Sequence, residues 1–471
     1  MAHQRVRITK TTLQVRVALQ KVQELFPLLS NHIQESAAMS PAGVENSSGA
    51  MSAHSTTDDL FCHFDRTGRF VLAAAPSLTI RRGLDNRLMR ISIDTTHRED
   101  LKWFGRRRSY HDFSDVEKSD FYRAVYIEAL TVLRHEQEAS PSNGERKLQE
   151  PAKYGPATLT EWGERLARWT PAALAKDEVD FKATYKPISI LPPDQYRTLV
   201  IQVAEGCSYN QCLFCDFYRD RRFHVKSPVE LAAHLDAVEA FFGPRLHDRT
   251  GFFLGDGNAL VVSADRLRVA IKQIQAAFGP ETDSTQTDFT QADSSPVKPG
   301  PDSSHPIASF ATFMDTFNLD KKSIEALHTL REEGIDTVYV GLESGYDPIR
   351  SFLKKPGPAS EALAAIRTLK EAGYTVGPIV MIGVGDIRDA DAHFEHTVLL
   401  LEEANLTPSD KIFLSPFVQP AHGEYRDATE RYGVIPYTQD QIEREMMRWK
   451  DTLSKVTRAK VTGYYVREHI Y

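Results

Sequence analysis

The sequence predicts an α/β protein, in which a small α+β N-terminal domain precedes an incomplete barrel of six strand–helix units. Two observations carry that expectation. From Tyr196 onward, short apolar runs alternate with segments of helical period, which implies parallel strands joined by right-handed crossovers. The first of those runs leads straight into Cys207, Cys212 and Cys215, three of only four cysteines in the chain.

At 471 residues the chain is long enough for two or three domains, each with its own core. It is 41% hydrophobic and 26% charged, and holds no apolar run long enough to cross a bilayer. The opening residues Met1–Arg7 lack the apolar stretch of a secretory signal. Clustered cysteines do not make a disulfide framework, so the composition reads as that of a cytoplasmic protein. A net charge of −7 argues against a basic protein that coats nucleic acid.

In chain order, Leu13, Val17 and Leu25 suggest an amphipathic helix over residues 10–26, and the Ser/Ala/Gly-rich residues 36–59 suggest a linker. Strands are expected at Arg69–Ala74, Leu78–Arg82 and Arg87–Ile93, and helices at Asp115–Glu136 and Thr160–Trp169. Cys62 stands alone here and reads as a packing residue. The barrel strands are expected at Thr198–Ala204, Gly251–Leu254, Ile307–Phe313, Thr337–Leu342, Thr375–Ile382 and Lys411–Phe417. Capping-box patterns at Ser227–Glu230 and Thr438–Gln441 mark two helix starts. Residues 281–305 are nearly free of apolar side chains and read as a disordered insertion. The expected division is therefore 1–59 (helix and linker), 60–190 (α+β accessory domain), 191–430 (barrel) and 431–471 (helix and aromatic tail).

Three thiolates on one loop can hold three corners of an iron–sulfur cluster and leave a fourth iron open. A structural zinc site would want a fourth protein ligand, for which His224 is the nearest candidate. In parallel α/β sheets ligands sit at the carboxyl ends of the strands. The cysteines, Gly255-Asp-Gly257, Glu343-Ser-Gly345 and Gly383-Val-Gly385 all fall there, as does Asp315, which either faces the site or caps the next helix. The basic run Arg219–Arg222 reads either as a solvated loop or as an anion contact, and Arg106–Arg108 lies among aromatic residues but is offset by acidic neighbours.

This pattern resembles the radical S-adenosylmethionine (radical SAM) enzymes over roughly residues 195–425. The aromatic Phe214 before the final cysteine and the two-residue second gap fit that family, whereas the first gap has four residues in place of the usual three. The resemblance implies a [4Fe–4S] cluster on Cys207, Cys212 and Cys215, with SAM as the second cofactor. It further implies cofactor contacts from Phe214, Gly255, Asp256, Gly257, Glu343, Ser344 and Gly383. The cysteine loop is similar to that of relatives of oxygen-independent coproporphyrinogen oxidase, but Phe217 stands where those enzymes have a further cysteine. The implied function is hydrogen abstraction from a small molecule, with an electron donor such as flavodoxin or ferredoxin and no membrane partner. The alternatives are modification of RNA or a peptide, and a non-catalytic cluster or zinc protein that senses redox state.

Overall fold

The computed structural model describes residues 5–9, 11–25, 59–93, 107–138, 154–279, 309–316 and 322–471. The expected linker before Asp59 and the expected insertion at 281–305 lie outside the described residues. The chain forms two compact units: residues 1–187, 241–248 and 467–471 make one, and residues 188–240 and 249–466 make the other.

The first unit carries an antiparallel sheet of seven strands in chain order: β1 (Val6–Ile8), β2 (Thr12–Ala18), β3 (Asp59–Asp65), β4 (Phe70–Ala75), β5 (Leu78–Arg82), β6 (Leu88–Ile93) and β7 (Arg108–Asp112). Its helices are α1 (Leu19–Leu25), α2 (Asp115–Glu138), α3 (Pro156–Ala167) and α4 (Pro171–Thr184). The helix expected over 10–26 is instead a strand as far as Ala18, and becomes helical only at Leu19. Leu13, Val15 and Val17 are buried and alternate with more exposed residues, so a period of two outweighs the four-residue spacing of Leu13 and Val17. Their side chains join Cys62, Phe64, Phe70 and the inner face of α2 in one core. Arg69 and Arg82 reach the buried Asp177 at 2.8 and 3.0 Å, tying α4 to the sheet. The terminal Tyr471 packs against Tyr185 and Phe181, with ring centroids 6.1 and 6.4 Å away.

The main strands of the second unit are β8 (Leu199–Gln202), β11 (Phe252–Gly255), β12 (Phe310–Asp315), β13 (Ile335–Glu343), β14 (Thr375–Ile382), β15 (Lys411–Pro416) and β16 (Lys460–Gly463). They form a parallel sheet in that order. Two short strands, β9 (Ala204–Glu205) and β10 (His224–Val225), pair separately. The helices are α5 (Pro228–Phe242), α6 (Ala264–Phe278), α7 (Ile324–Glu332), α8 (Asp347–Phe352), α9 (Ala359–Glu371), α10 (Ala390–Glu403), α11 (Glu424–Tyr432) and α12 (Gln439–Val456). The six expected strands are present in the expected order, and the half-polar Lys460–Gly463 adds a seventh. Both expected capping boxes form, at Ser227–Glu230 and at Thr438–Gln441.

One face of this sheet carries an aromatic layer, Phe253–Phe313–Tyr339–Phe413–Tyr464, with successive ring centroids 5.1, 6.1, 5.6 and 6.0 Å apart. Such buried rings supply much of a core's apolar burial and fix the spacing of the strands that carry them. Two residues further along β11, β12 and β13, on the same face, come Gly255, Asp315 and Gly341. The polar site described next therefore stands on an aromatic floor.

Candidate active site

The cysteine loop leaves β9 and returns at β10, where Glu205 pairs with His224. Cys212 is buried, and Cys207 and Cys215 are half-buried. The Asn210 N–H donates to the Cys207 sulfur at 3.4 Å. On the outer side, the Arg219 guanidinium donates to the carbonyls of Cys212 and Cys215 at 3.2 and 3.3 Å. The Leu213 N–H bonds the Leu353 carbonyl at 2.9 Å, and the Tyr209 hydroxyl the Lys354 carbonyl at 2.8 Å. These bonds moor the loop to the chain beyond β13. Phe214 packs on a cluster that includes Met381, Val384 and Tyr425.

The turn after β11 meets this loop. Asp256 is buried and accepts from the Gly206 N–H at 3.1 Å and from the Gln202 amide at 3.2 Å, with Arg221 3.8 Å away. Burial pushes its carboxyl up to about 6, against the pull of those donors. A side chain on Gly257 would begin 2.6 Å from the Tyr218 ring, so the residue there has to be glycine. Asn258, next in the chain, is also buried, and its Oδ1 has no hydrogen-bond partner among the described residues.

A buried charge cluster lies at the ends of β12 and β13. The Lys355 ammonium contacts Asp315 and stands 3.3 Å from Glu343. Burial opposes the charge on Lys355, but the two carboxylates outweigh it and raise its pKa. Burial also raises Glu343, against the attraction of Lys355. Glu343 adopts φ +61°, a left-handed conformation whose strain tends to occur at functional sites. Gly341 makes room for the pair, because a Cβ there would lie 2.8 Å from the Glu343 carboxylate and 3.0 Å from the Lys355 nitrogen. Arg350, almost fully buried, donates to the carbonyls of Leu342, Gly357 and Pro356 at 2.8–3.1 Å and to the Thr316 hydroxyl at 3.2 Å. It holds the chain on both sides of Glu343 in place.

Ser344 lies deeper. Its hydroxyl meets His393 Nδ1 at 2.8 Å and accepts from the Tyr346 N–H at 3.0 Å. His393 Nε2 donates to the Met381 carbonyl at 2.9 Å, which leaves Nδ1 as the acceptor for Ser344. Burial lowers this imidazole to about 4, so it is neutral near pH 7. Gly383 has φ +82°, and a Cβ there would meet Ile442 at 2.6 Å.

The structure thus brings Asp256 to the base of the cysteine loop, and Glu343 beside Asp315. It places Ser344 in a buried hydrogen-bond network with His393. Lys355, Arg350 and His393 escaped the reading of the sequence. His224, the candidate zinc ligand, instead faces Glu230 at 3.1 Å.

Residues 201–401 match the family model described as the radical SAM superfamily. The chain carries a radical SAM domain. No curated protein matches the sequence. Among solved structures, it is similar to the archaeal Methanocaldococcus infernus Elp3, at 14% identity over 57% of this chain and 56% of that one, with a TM-score of 0.35. It is similar also to coproporphyrinogen III oxidase (HemN) of Escherichia coli, at 14% identity over 54% and 52% of the two chains, with a TM-score of 0.37. A third is methylornithine synthase (PylB), at 12% identity over 57% and 72% of the two chains, with a TM-score of 0.33. The chain thus spans little more than half of the first two structures.

A domain of this family would hold a [4Fe–4S] cluster and SAM. The donor set fits that cluster. A single tetrahedral ion with bonds of ~2.3 Å to sulfur needs its ligands gathered at one point. Among the described residues no three His, Cys, Asp or Glu side chains gather in that way. A four-iron cluster instead takes each thiolate on a separate iron. Burial pushes the Cys212 and Cys215 thiols up to about 12, so a thiolate here would need a compensating positive charge beside it. No helix among the described residues is long and apolar enough to cross a membrane.

Proposed function

We propose that the enzyme abstracts hydrogen from a small polar molecule, with Cys207, Cys212 and Cys215 as the ligands of its cluster. When bound, the cluster and SAM supply reductive cleavage of a carbon–sulfur bond and with it a 5′-deoxyadenosyl radical. The observation that carries the reading is the buried Asp315–Lys355–Glu343 group at the strand ends that border the cysteine loop. Buried charges of this kind survive only when paired, and they suit a closed, polar site from which water is excluded.

Each group has a part in this reading. Backbone at Gly255 would meet the cofactor closely, whereas Gly257 and Gly383 make room for Tyr218 and Ile442. Glu343 would hold the polar end of SAM, with Lys355 keeping its carboxylate in place. Ser344, tied to His393, fixes the turn that presents Glu343, and Phe214 seats the cysteine loop on Met381 and Val384. An external electron donor such as flavodoxin or ferredoxin, in a cytoplasmic setting, completes the reaction.

The test is anaerobic reconstitution with iron and sulfide, followed by dithionite and SAM. The parent chain is expected to form 5′-deoxyadenosine, and Cys212→Ala to form none. A cluster that assembles but yields no 5′-deoxyadenosine with any reductant refutes the catalytic reading. Zinc in place of iron in anaerobically purified protein refutes the ligand reading as well.

A further inference from the structure

We propose that the Gly255–Gly257 turn clamps the cysteine loop at both ends, and that Asp256 and Asn210 are positioning residues for the cluster. The inference rests on the reading of Cys207, Cys212 and Cys215 as cluster ligands.

The Asp256 carboxylate is directed at the loop and at the strand that feeds it. One oxygen takes the Gly206 N–H at 3.1 Å and faces Arg221 at 3.8 Å, and the other takes the Gln202 amide at 3.2 Å. Gly206 immediately precedes Cys207, so this bond sets where the first ligand leaves the barrel. Gly206 adopts φ +80°, a conformation that glycine reaches without strain, and the Asp256 bond fixes the direction of its N–H. At the other end, Gly257 lies beneath the Tyr218 ring, three residues after Cys215. Arg221 closes the arrangement: its guanidinium lies 5.4 Å from the Tyr218 ring and donates to the Phe217 carbonyl at 3.2 Å. One turn of β11 thus fixes the residues on either side of the cysteine triad.

Asn210 spans the loop between those ends. Its Nδ2 donates to the Tyr218 carbonyl at 2.8 Å, and its own N–H meets the Cys207 sulfur at 3.4 Å. It adopts φ +50°, a left-handed conformation that asparagine tolerates better than most residues. Asn210 sits in the four-residue gap between the first two cysteines, and its left-handed turn takes up the length of that gap. Hydrogen bonds to ligand sulfur and partners behind the ligands both tune a bound cluster. Asp256 and Asn210 would therefore act on the cluster through its ligands.

The experiment compares the full chain with Asp256→Asn, Asp256→Leu and Asn210→Asp after anaerobic reconstitution. Three quantities are read: iron loss to a chelator, the EPR line shape and midpoint potential of the reduced cluster, and SAM affinity from the spectral shift on titration. Asp256→Asn keeps an acceptor for Gly206, and is expected to hold iron as the parent does and to bind SAM within about twofold. Asp256→Leu and Asn210→Asp are expected to lose iron about tenfold faster or more, with altered line shape and potential. Asp256→Leu is also read by circular dichroism; if it does not fold, Asp256→Asn and Asn210→Asp decide. Parent-like iron retention and line shape in Asn210→Asp and in folded Asp256→Leu overturn the clamp. A fall in SAM affinity of about tenfold in Asp256→Asn, with the cluster unchanged, overturns it in favour of a direct SAM contact. A parent chain that takes up no cluster overturns the ligand reading itself.

Discussion

Replacing Lys355 by methionine keeps most of the side-chain volume and deletes the charge between Asp315 and Glu343. Lys355 and Glu343 are each only 7% exposed, so little water reaches the carboxylate left behind. Removing one partner of a buried ion pair costs about 3–5 kcal/mol, because the remaining charge stays desolvated and unpaired. The same reasoning predicts recovery. Lys355→Met combined with Asp315→Asn and Glu343→Gln leaves no net buried charge and should return to within ~1 kcal/mol of the parent. The deficit of the single variant should also depend on pH. Burial already raises Glu343, and losing Lys355 raises it further. A carboxyl whose folded pKa exceeds its unfolded value binds its proton more tightly in the folded state. The destabilisation should therefore be small near pH 4 and grow as pH rises toward neutrality. Urea unfolding of the cluster-free chain, followed by circular dichroism between about pH 4 and 8, measures all three effects. A cost below ~1 kcal/mol at neutral pH, or a triple variant no more stable than the single one, refutes the reasoning.

Arg350→Lys should destabilise the same region by about 3 kcal/mol in urea unfolding, because one ammonium cannot serve the carbonyls of Leu342, Pro356 and Gly357 together. Asp256 and His393 should drive stability in opposite directions with pH. Burial raises Asp256 from 3.8 to about 6, so its contribution is complete below the unfolded value and lost as pH rises through that window, by roughly 3 kcal/mol. Burial lowers His393 from 6.5 to about 4, so its contribution is complete above the unfolded value and lost as pH falls through about 4, by a similar ~3 kcal/mol. Subtracting the unfolding curves of Asp256→Asn and of His393→Gln from the parent's should give pH slopes of opposite sign. Gly345→Ala would put a Cβ 2.7 Å from the Thr397 backbone, and should lower the urea midpoint by the equivalent of about 1–3 kcal/mol.

The barrel was legible because its signals are local. A buried strand such as Leu199–Gln202 announces itself by composition, α5 by its capping box and spacing, and the cysteine loop by three cysteines in one short stretch. The N-terminal segment was misread because Leu13 and Val17 fit both periods, and only the burial of Val15 between them separates strand from helix. The strand Lys460–Gly463 went unread because it is short and half-polar; pairing with β15 makes it a strand, not its own residues. Lys355 was missed for a related reason. A lysine in the loop after α8 reads as a solvated charge, and nothing near it in sequence shows that two carboxylates converge on it.

Taken alone, the sequence determined the strand–helix alternation, the rim on which the cysteines sit and the acidic residues of that rim. These follow from hydrophobic period, caps and spacing, each set within about 20 residues of chain. Only the tertiary structure decided what those residues do to one another. The register of β12 on β13 brings Asp315, 40 residues from Lys355, against the same ammonium that meets Glu343. The turn after β11 carries Asp256 to the N–H of Gly206, 50 residues earlier and next to Cys207. Buried polar groups must find partners, and which partners lie in reach is settled by how the strands are placed side by side.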